Sequence, residues 1–420
     1  MTDKQNIPDP KGCFFSGEMV DVRPLFDGMN EILLGRTAAA ANHFPANANS
    51  GKRQMITGAA CGQNESAVRL RAMGELIERV SAFQAGLNPM NLVCTSFSAL
   101  QQDGVPAIAP SRLQQFHPSQ QIPPAFQNAD INLLSWCTGT DLVNQKNIYV
   151  PALAAYLCWT PSEHESIFMR PGATGLAAGQ SQEDAMMRAF LEVIERSACI
   201  RSWRDPNTEI HKISLSEQDT PYWALLKEMN FMADLFAIKT DGLPDTMLAL
   251  VSKKDGTELT IGSACGLSDT RSLEKAVEEA LMLQYTVRLM RANKSALIAQ
   301  PRSSLEHVIR GYQNGPLIRD WYLKHARQAS GIVSTATPKT LHELVCAANE
   351  CFQSEVIAIN VTDEVTRNMG WHVYRIIIPN APAKESDSFF PQLAPFLNGV
   401  NDHAESVKET NLNMTPHPFG

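Results

Sequence analysis

A chain of 420 residues, 44% of them hydrophobic, can bury a sizeable core, and its composition excludes a disordered protein. A net charge of −8 argues against a nucleic-acid partner, and no apolar run approaches the roughly 18 residues needed to cross a bilayer. Nine cysteines without a C-x-x-C pair read as reduced thiols, and the N-terminus carries no basic-then-apolar signal, so a cytoplasmic location is expected.

Residues 1–50 are poor in pattern and are expected to form an N-terminal extension, with Ala38–Asn49 reading as a loop. A catalytic unit is expected over 51–400 and a proline-rich tail over 401–420. Gly58–Arg79 (GAACGQNESAVRLRAMGELIER) joins a small-residue turn to a segment with helical periodicity. From 84 to 146 the chain is broken by Pro, Gln and Gly, with short strands such as Ile131–Cys137. Asn147–Trp159 reads as a further strand. Gly175–Arg196 (GLAAGQSQEDAMMRAFLEVIER) repeats the turn and the periodic segment, with Ala185, Met186, Ala189, Phe190, Val193 and Ile194 on one buried face. Thr246–Val251 and Thr257–Ile261, joined by Lys-Lys-Asp-Gly, read as a hairpin. A helix is expected at 339–352 and strands at 355–361 and 372–379. Helices alternating with strands argue for an α+β or α/β fold whose mixed sheets hold the periodic helices.

The polar residues of the second periodic segment are as regular as the apolar ones. Gln180, Asp184, Arg188, Glu192 and Glu195 form one stripe along the helix. A lone Arg–Glu pair at four-residue spacing is a solvated salt bridge worth a few tenths of a kcal/mol. Repetition changes that reading. At an offset of 117 residues, 58–79 and 175–196 align without a gap and share ten of 22 positions, including Arg71 with Arg188, Glu75 with Glu192, Glu78 with Glu195 and Arg79 with Arg196. A weaker third copy lies 87 residues further on, where Gly262, Ala264, Gly266, Ala276 and Glu279 match, Lys275 stands for Arg188, and Met282 replaces the second glutamate. Three helices carrying one acidic stripe are expected to face a shared centre.

Carboxylates brought to about 8 Å at an effective dielectric near 20 repel by roughly 2 kcal/mol per pair, so such a centre needs cations. Its ligands are all oxygen, with no recurring Cys or His, which points to Mg²⁺; magnesium held by carboxylates usually also holds phosphate oxygens, which makes a nucleotide the natural guest. The glycine turns are expected to offer backbone N–H groups to phosphates.

At these residues the chain resembles the YcaO family. The resemblance continues through Val361–Pro382 (VTDEVTRNMGWHVYRIIIPNAP) and covers roughly 50–420. It implies ATP bound without a P-loop, and no G-x-x-x-x-G-K-[ST] occurs here. By that resemblance Glu75, Glu78, Glu192, Glu195 and Glu279 hold Mg²⁺, while Arg71, Arg79, Gln180, Asp184 and Arg196 contact nucleotide or metal. Two positions depart from the family pattern: Met282, where Gln is usual, and Arg71, where a small hydroxyl residue is common. Gln284 lies on a different helix face.

The end of the chain, Thr415-Pro-His-Pro-Phe-Gly420, resembles the proline-rich end of family members that build azoline rings, in which the tail enters the active site. That implies roles for Pro416, Pro418 and the Gly420 carboxylate in organising the site or acting as a base. The expected activity is ATP-dependent cyclisation of Cys, Ser or Thr in a ribosomally made precursor peptide. A leader-binding partner protein and a flavin-dependent dehydrogenase are the implied neighbours, and the resemblance allows a homodimer. Two alternatives stay open: thioamide or amidine formation at the same ATP site, and a non-catalytic ATP-binding subunit. His43, His117, His164 and His211 are read as surface or capping residues, Trp136, Trp159 and Trp203 as packing, and Cys346 and Cys351 as helix packing.

Overall fold

The structure is a computed structural model that describes residues 13–15, 20–41, 55–87, 89, 91–170, 172–214, 222–292, 304–329, 339–384, 391–397 and 411–419. Strands β1 (Cys13–Phe15), β2 (Asp21–Phe26), β3 (Met29–Ala41) and β4 (Met55–Gly62) make an antiparallel sheet in which the long β3 pairs with the other three. A second sheet begins with β5 (Val93–Thr95), β6 (Leu134–Asp141), β7 (Lys146–Pro151) and β8 (Leu176–Gly179). The third contains β9 (Ile210–Ile213), β10 (Met232–Ile238), β11 (Thr246–Ser252), β12 (Thr260–Cys265) and β13 (Arg327–Ala329), in the order β12-β11-β10-β9-β13; only β13 runs parallel to its neighbour. Strands β14 (Ile357–Asn360) and β15 (His372–Ile377) complete the second sheet, in the order β5-β6-β14-β15-β8 with β7 beside β6.

Each sheet carries one of the repeated helices: α1 (Glu65–Leu87), α2 (Gln182–Arg204) and α3 (Asp269–Ala292). Each lies over two strands of its own sheet: α1 over β4 and β3, α2 over β8 and β15, α3 over β12 and β11. Each also leans on the next unit, α1 on β8, α2 on β12 and α3 on β4. The three units therefore close a ring, which accounts for the repeat having three copies and no solenoid period.

Close approach of strand and helix is set by glycine. A Cβ on Gly58 would sit 2.2 Å from the Ala72 carbonyl oxygen, and one on Gly262 would sit 2.0 Å from that of Ala276, in both cases fourteen residues along. In the second unit Gly175, with φ +81°, is pressed mainly by a neighbouring strand: a Cβ there would sit 2.2 Å from the Ile376 carbonyl oxygen of β15 and 3.0 Å from the Val193 side chain of α2. Helix α2 starts at Ser181, whose hydroxyl accepts from the Asp184 N–H, and its ends complement the dipole, with Glu183 and Asp184 first and Arg201 and Arg204 last. Its expected apolar face is buried at Ala185, Ala189, Phe190, Val193 and Ile194, against Leu344, Val345 and Ile376.

The β11–β12 hairpin and a helix at Leu341–Phe352 stand where the sequence places them, the latter with a Thr340/Glu343 capping box. Other elements differ. Residues 20–41 are built into the first sheet, and Ala38–Ala41 is strand: Ala39 is buried against Leu76 and Val80 of α1, so the alanines are small where a helix lies close. The rest of the expected loop, with His43, lies outside the described residues. The strand expected to run from Asn147 to Trp159 stops at Pro151, and the Ala-Leu-Ala-Ala run makes a helical turn, Ala152–Ala155. The strand expected at Ile131–Cys137 begins at Leu134 and runs on to Asp141.

Candidate active site

The first glutamate of each copy is held in the same way. Oε2 of Glu75 accepts the Ala59 N–H at 2.6 Å, Oε2 of Glu192 that of Gly175 at 3.0 Å, and Oε2 of Glu279 that of Ser263 at 2.7 Å. Three amides of the glycine turns, those of Ala59, Gly175 and Ser263, are thereby committed to glutamates.

Links between units gather the charges. Glu195 of α2 accepts from the Ser263 hydroxyl at 2.7 Å and the Cys265 N–H at 3.3 Å, both in β12. Arg196 lies 3.8 Å from Glu192 and 3.6 Å from Glu195. Burial opposes its charge, but Glu195, Glu279 and Glu192 outweigh burial and hold it above the usual arginine range. Burial pushes Glu192 up to about 7, against the pull of Arg196 and with a push from Glu195. Burial followed by the Glu192 and Glu75 charges raises Glu78 well above a normal carboxylate. Burial also raises Glu75 and Glu279, opposed by Arg79 and Arg196 respectively. Arg79 pairs with Glu75 and donates to the Thr57 carbonyl at 2.7 Å.

One turn nearer the helix starts, the equivalent cations Arg71, Arg188 and Lys275 approach one another. Burial, followed by Arg71, Arg271 and Arg188, lowers the Lys275 pKa. Arg71 donates to Glu278 at 2.8 Å and to the Cys61 carbonyl at 2.5 Å. Arg188 pairs with Asp184 at 2.8 Å on the more exposed start of α2, and the Gln180 N–H donates to Asp184 at 3.3 Å. Met282 packs on the apolar core, and Gln284 is buried with its amide on the Glu258 carbonyl, so the third helix brings Glu279 to the centre.

Sequence reasoning missed three charged residues. Glu278 is 2% exposed and accepts from Arg71, Arg271 and the Tyr222 hydroxyl, the last at 2.6 Å. Arg375 on β15 and Lys384 beyond it enter from the second sheet. Burial lowers Arg375 to about 10, although Glu192 and Glu78 lie near; burial and Arg196 lower Lys384 to about 8, against the pull of Glu279 and Glu192. Arg375 falls inside the segment that carries the resemblance, but nothing in its spacing ties it to helices some 180 and 300 residues upstream.

The tail is docked. Arg204 at the end of α2 donates to the carbonyls of Asn413 at 2.7 Å and Thr415 at 2.9 Å, and Trp203 Nε1 to Thr415 at 3.0 Å. His417 stacks on His307 of α4 (Ser304–Gln313) with ring centroids 3.9 Å apart, and Pro418 lies over Gly311 of the same helix. Pro416 sits between these anchors. Phe419 is buried in the cluster that contains Ala198 and Cys199, one helical turn beyond Glu195. Gly420 lies outside the described residues.

The donors suit a hard divalent cation. They are carboxylates whose protonation is favoured by burial and mutual repulsion, so positive charge relieves them. Among the described residues no three Asp, Glu, His or Cys side chains are gathered into a metal cage. Among the described residues no helix is long and apolar enough to cross a membrane.

Comparison with known proteins gives three related folds. A heterocyclase solved in complex with substrate and cofactor superposes with TM-score 0.70 at 20% identity, over 95% of this chain; the chain spans about half, 54%, of that protein. YcaO from Methanopyrus kandleri bound with AMPPCP and Mg²⁺ gives 0.60 at 16% identity, over 89% of each chain. The E. coli microcin synthetase McbBCD complex with pro-MccB17 bound gives 0.64 at 12% identity, over 96% of each chain. The family model described as YcaO cyclodehydratase, ATP- and Mg²⁺-binding, matches residues 59–381. With its three glutamate-bearing helices accounted for by that match, the chain belongs to the YcaO cyclodehydratase family.

Proposed function

We propose that this chain is the ATP-dependent cyclodehydratase of a peptide-modifying complex. The observation that carries the reading is the ring of three equivalent strand–helix units in which the first glutamate of each helix accepts a strand N–H, while Glu192, Glu195 and Glu279 all act on the charge of Arg196. Glu75, Glu78, Glu192, Glu195 and Glu279 would hold Mg²⁺, which when bound supplies charge neutralisation on phosphoryl oxygens. Arg71, Arg79, Gln180, Asp184 and Arg196 would orient the nucleotide. A Cys thiol or a Ser or Thr hydroxyl of the substrate gives up its proton and adds to the carbonyl carbon of the preceding residue. The former carbonyl oxygen takes the γ-phosphoryl group as ADP departs. It then leaves as phosphate when the C=N bond forms and the amide proton is lost, so the peptide loses one water for each ATP consumed.

The docking of the tail, with Leu412, His417 and Phe419 buried, supports the tail as part of this site. Pro416 and Pro418 fix φ and pre-set the terminal residues, so that the Gly420 carboxylate acts as the base for the departing proton. The match over the whole length of a subunit-sized chain in the E. coli complex supports a role as one subunit, working on a precursor peptide beside a leader-binding protein and a flavin-dependent dehydrogenase. A cytoplasmic location and a homodimer accord with the same reading.

The test is phosphate release by the chain with a candidate partner and peptide, for wild type and Glu192→Gln, with the product peptide weighed. Release matched by one water lost per ring, and abolished by the substitution, supports cyclodehydration. Turnover without water loss redirects the chemistry to thioamide or amidine formation, and tight nucleotide binding without turnover leaves a non-catalytic subunit.

A further inference from the structure

Behind Arg375 lies a cavity of about 150 Å³ that none of the roles above uses. Phe116, Phe126, Phe168 and Met169 line it together with Arg375 and Lys384, both of which feel the charge of Glu192. Its volume is that of a cavity that takes a benzene-sized guest. Arg375 is 6% exposed and donates from Nη2 to the Gly172 carbonyl at 2.7 Å, while its buried Nε and Nη1 have no hydrogen-bond partner among the described residues. A buried guanidinium with two such N–H groups is costly until an acceptor arrives.

Two amides of the wall are occupied. Gln114 donates to the Phe126 and Phe168 carbonyls, both at 2.7 Å. Gln115 donates to the Pro379 and Ala381 carbonyls and accepts from the Ala383 N–H. An apolar group flanked by a single carbonyl oxygen finds both an apolar wall and guanidinium N–H donors there.

We infer that this cavity is a specificity subsite that takes one medium-sized apolar side chain of the substrate peptide while Arg375 donates to the adjoining backbone carbonyl oxygen. The identity of the guest as part of the substrate peptide rests on the cyclodehydratase reading. The preference for an apolar side chain beside a carbonyl rests on the cavity alone. Leucine- or phenylalanine-sized residues next to the cyclised position are the expected substrates.

The test uses capped single residues, so it needs neither ATP nor a partner. Saturation-transfer NMR would compare N-acetyl-L-leucine N-methylamide with N-acetylglycine N-methylamide on the full chain. Burial of a leucine side chain is expected to favour the leucine probe by about 10- to 100-fold. Ala383→Phe, a substitution at a half-buried position of the wall, fills the cavity and is expected to abolish the difference. Phe116→Ala enlarges the cavity and is expected to shift the preference from the leucine probe to a third probe, N-acetyl-L-tryptophan N-methylamide, which keeps the inference testable should Ala383→Phe fold poorly. Equal binding of the leucine and glycine probes overturns the inference, and so does displacement of the leucine probe by adenosine, which would assign the cavity to the nucleotide. Absence of peptide-dependent phosphate release in wild type would overturn the cyclodehydratase reading and leave the probe result standing.

Discussion

Substituting Gly262 by alanine tests the ring of strand–helix units at its tightest contact. The new Cβ would sit 2.0 Å from the Ala276 carbonyl oxygen, 2.6 Å from the Ala280 nitrogen and 3.0 Å from Glu279 Cβ. Two of those atoms are helix backbone, so no rotamer change relieves the clash. Ordinary contact distances return only if α3 withdraws from β12 by about 1 Å or more. Overpacking of this kind costs about 1–3 kcal/mol, and a rigid neighbour places this case at the upper end. The same withdrawal breaks the 2.7 Å bond from Ser263 to Glu279, and a displacement of ~1 Å at a positioned group costs about 10²-fold in rate. Denaturant unfolding and peptide-dependent phosphate release would be measured on Gly262→Ala, on the equivalent Gly58→Ala, and on Gly172→Ala, where nothing lies within 4 Å. The first two are expected to lose about 3 kcal/mol and nearly all turnover, and the third to keep its stability. If Gly262→Ala stays within about 0.5 kcal/mol of wild type, the packing argument is refuted.

Three further outcomes follow from the same contacts. Arg196→Met removes the cation between Glu192 and Glu195 and should lower stability by about 3 kcal/mol without divalent ions, with part regained on adding Mg²⁺; a variant as stable as wild type in chelator contradicts this. Arg204→Met strips the Asn413 carbonyl of its side-chain donor and leaves Thr415 with only Trp203, so the amides of 412–415 should exchange at least tenfold faster, whereas unchanged exchange would mean that the tail is held elsewhere. Burial alone would raise Glu355, but its paired bonds to Arg112 at 2.8 and 3.0 Å outweigh burial and hold it below its ordinary value. A lowered carboxylate stabilises above its unfolded pKa and stops doing so as pH falls through the folded one. Allowing for partial exposure, Glu355→Gln should therefore cost about 1 kcal/mol at pH 7, a gap that narrows as pH drops below about 4; an equal gap at pH 7 and pH 3 would contradict the assignment.

The parts of the fold that were legible are those written locally. Helical spacing gives the buried stripe of α2, and the self-alignment gives three glutamates that the structure holds by equivalent backbone bonds. The glycines were legible as a recurring pattern, but the demand on Gly58 and Gly262 comes from helix backbone fourteen residues away, which sequence spacing does not display. Ala38–Ala41 looked like a loop because its small residues are dictated by a helix lying across it. Arg375, Lys384 and Glu278 take their meaning from burial beside charges on other elements, and a single Lys or Arg in sequence reads as surface. His307 and His417 are equally opaque, since their stacking joins residues 110 positions apart.

The central claim is that one glutamate from each of three equivalent helices serves a single nucleotide–magnesium site. Its most direct test is calorimetric titration of a non-hydrolysable ATP analogue into wild type, Glu75→Gln, Glu192→Gln and Glu279→Gln, with and without Mg²⁺. The account expects wild-type binding to require Mg²⁺ and each substitution to weaken it by about tenfold or more. Binding that is indifferent to Mg²⁺, or unchanged in all three variants, would place the nucleotide elsewhere and contradict the account.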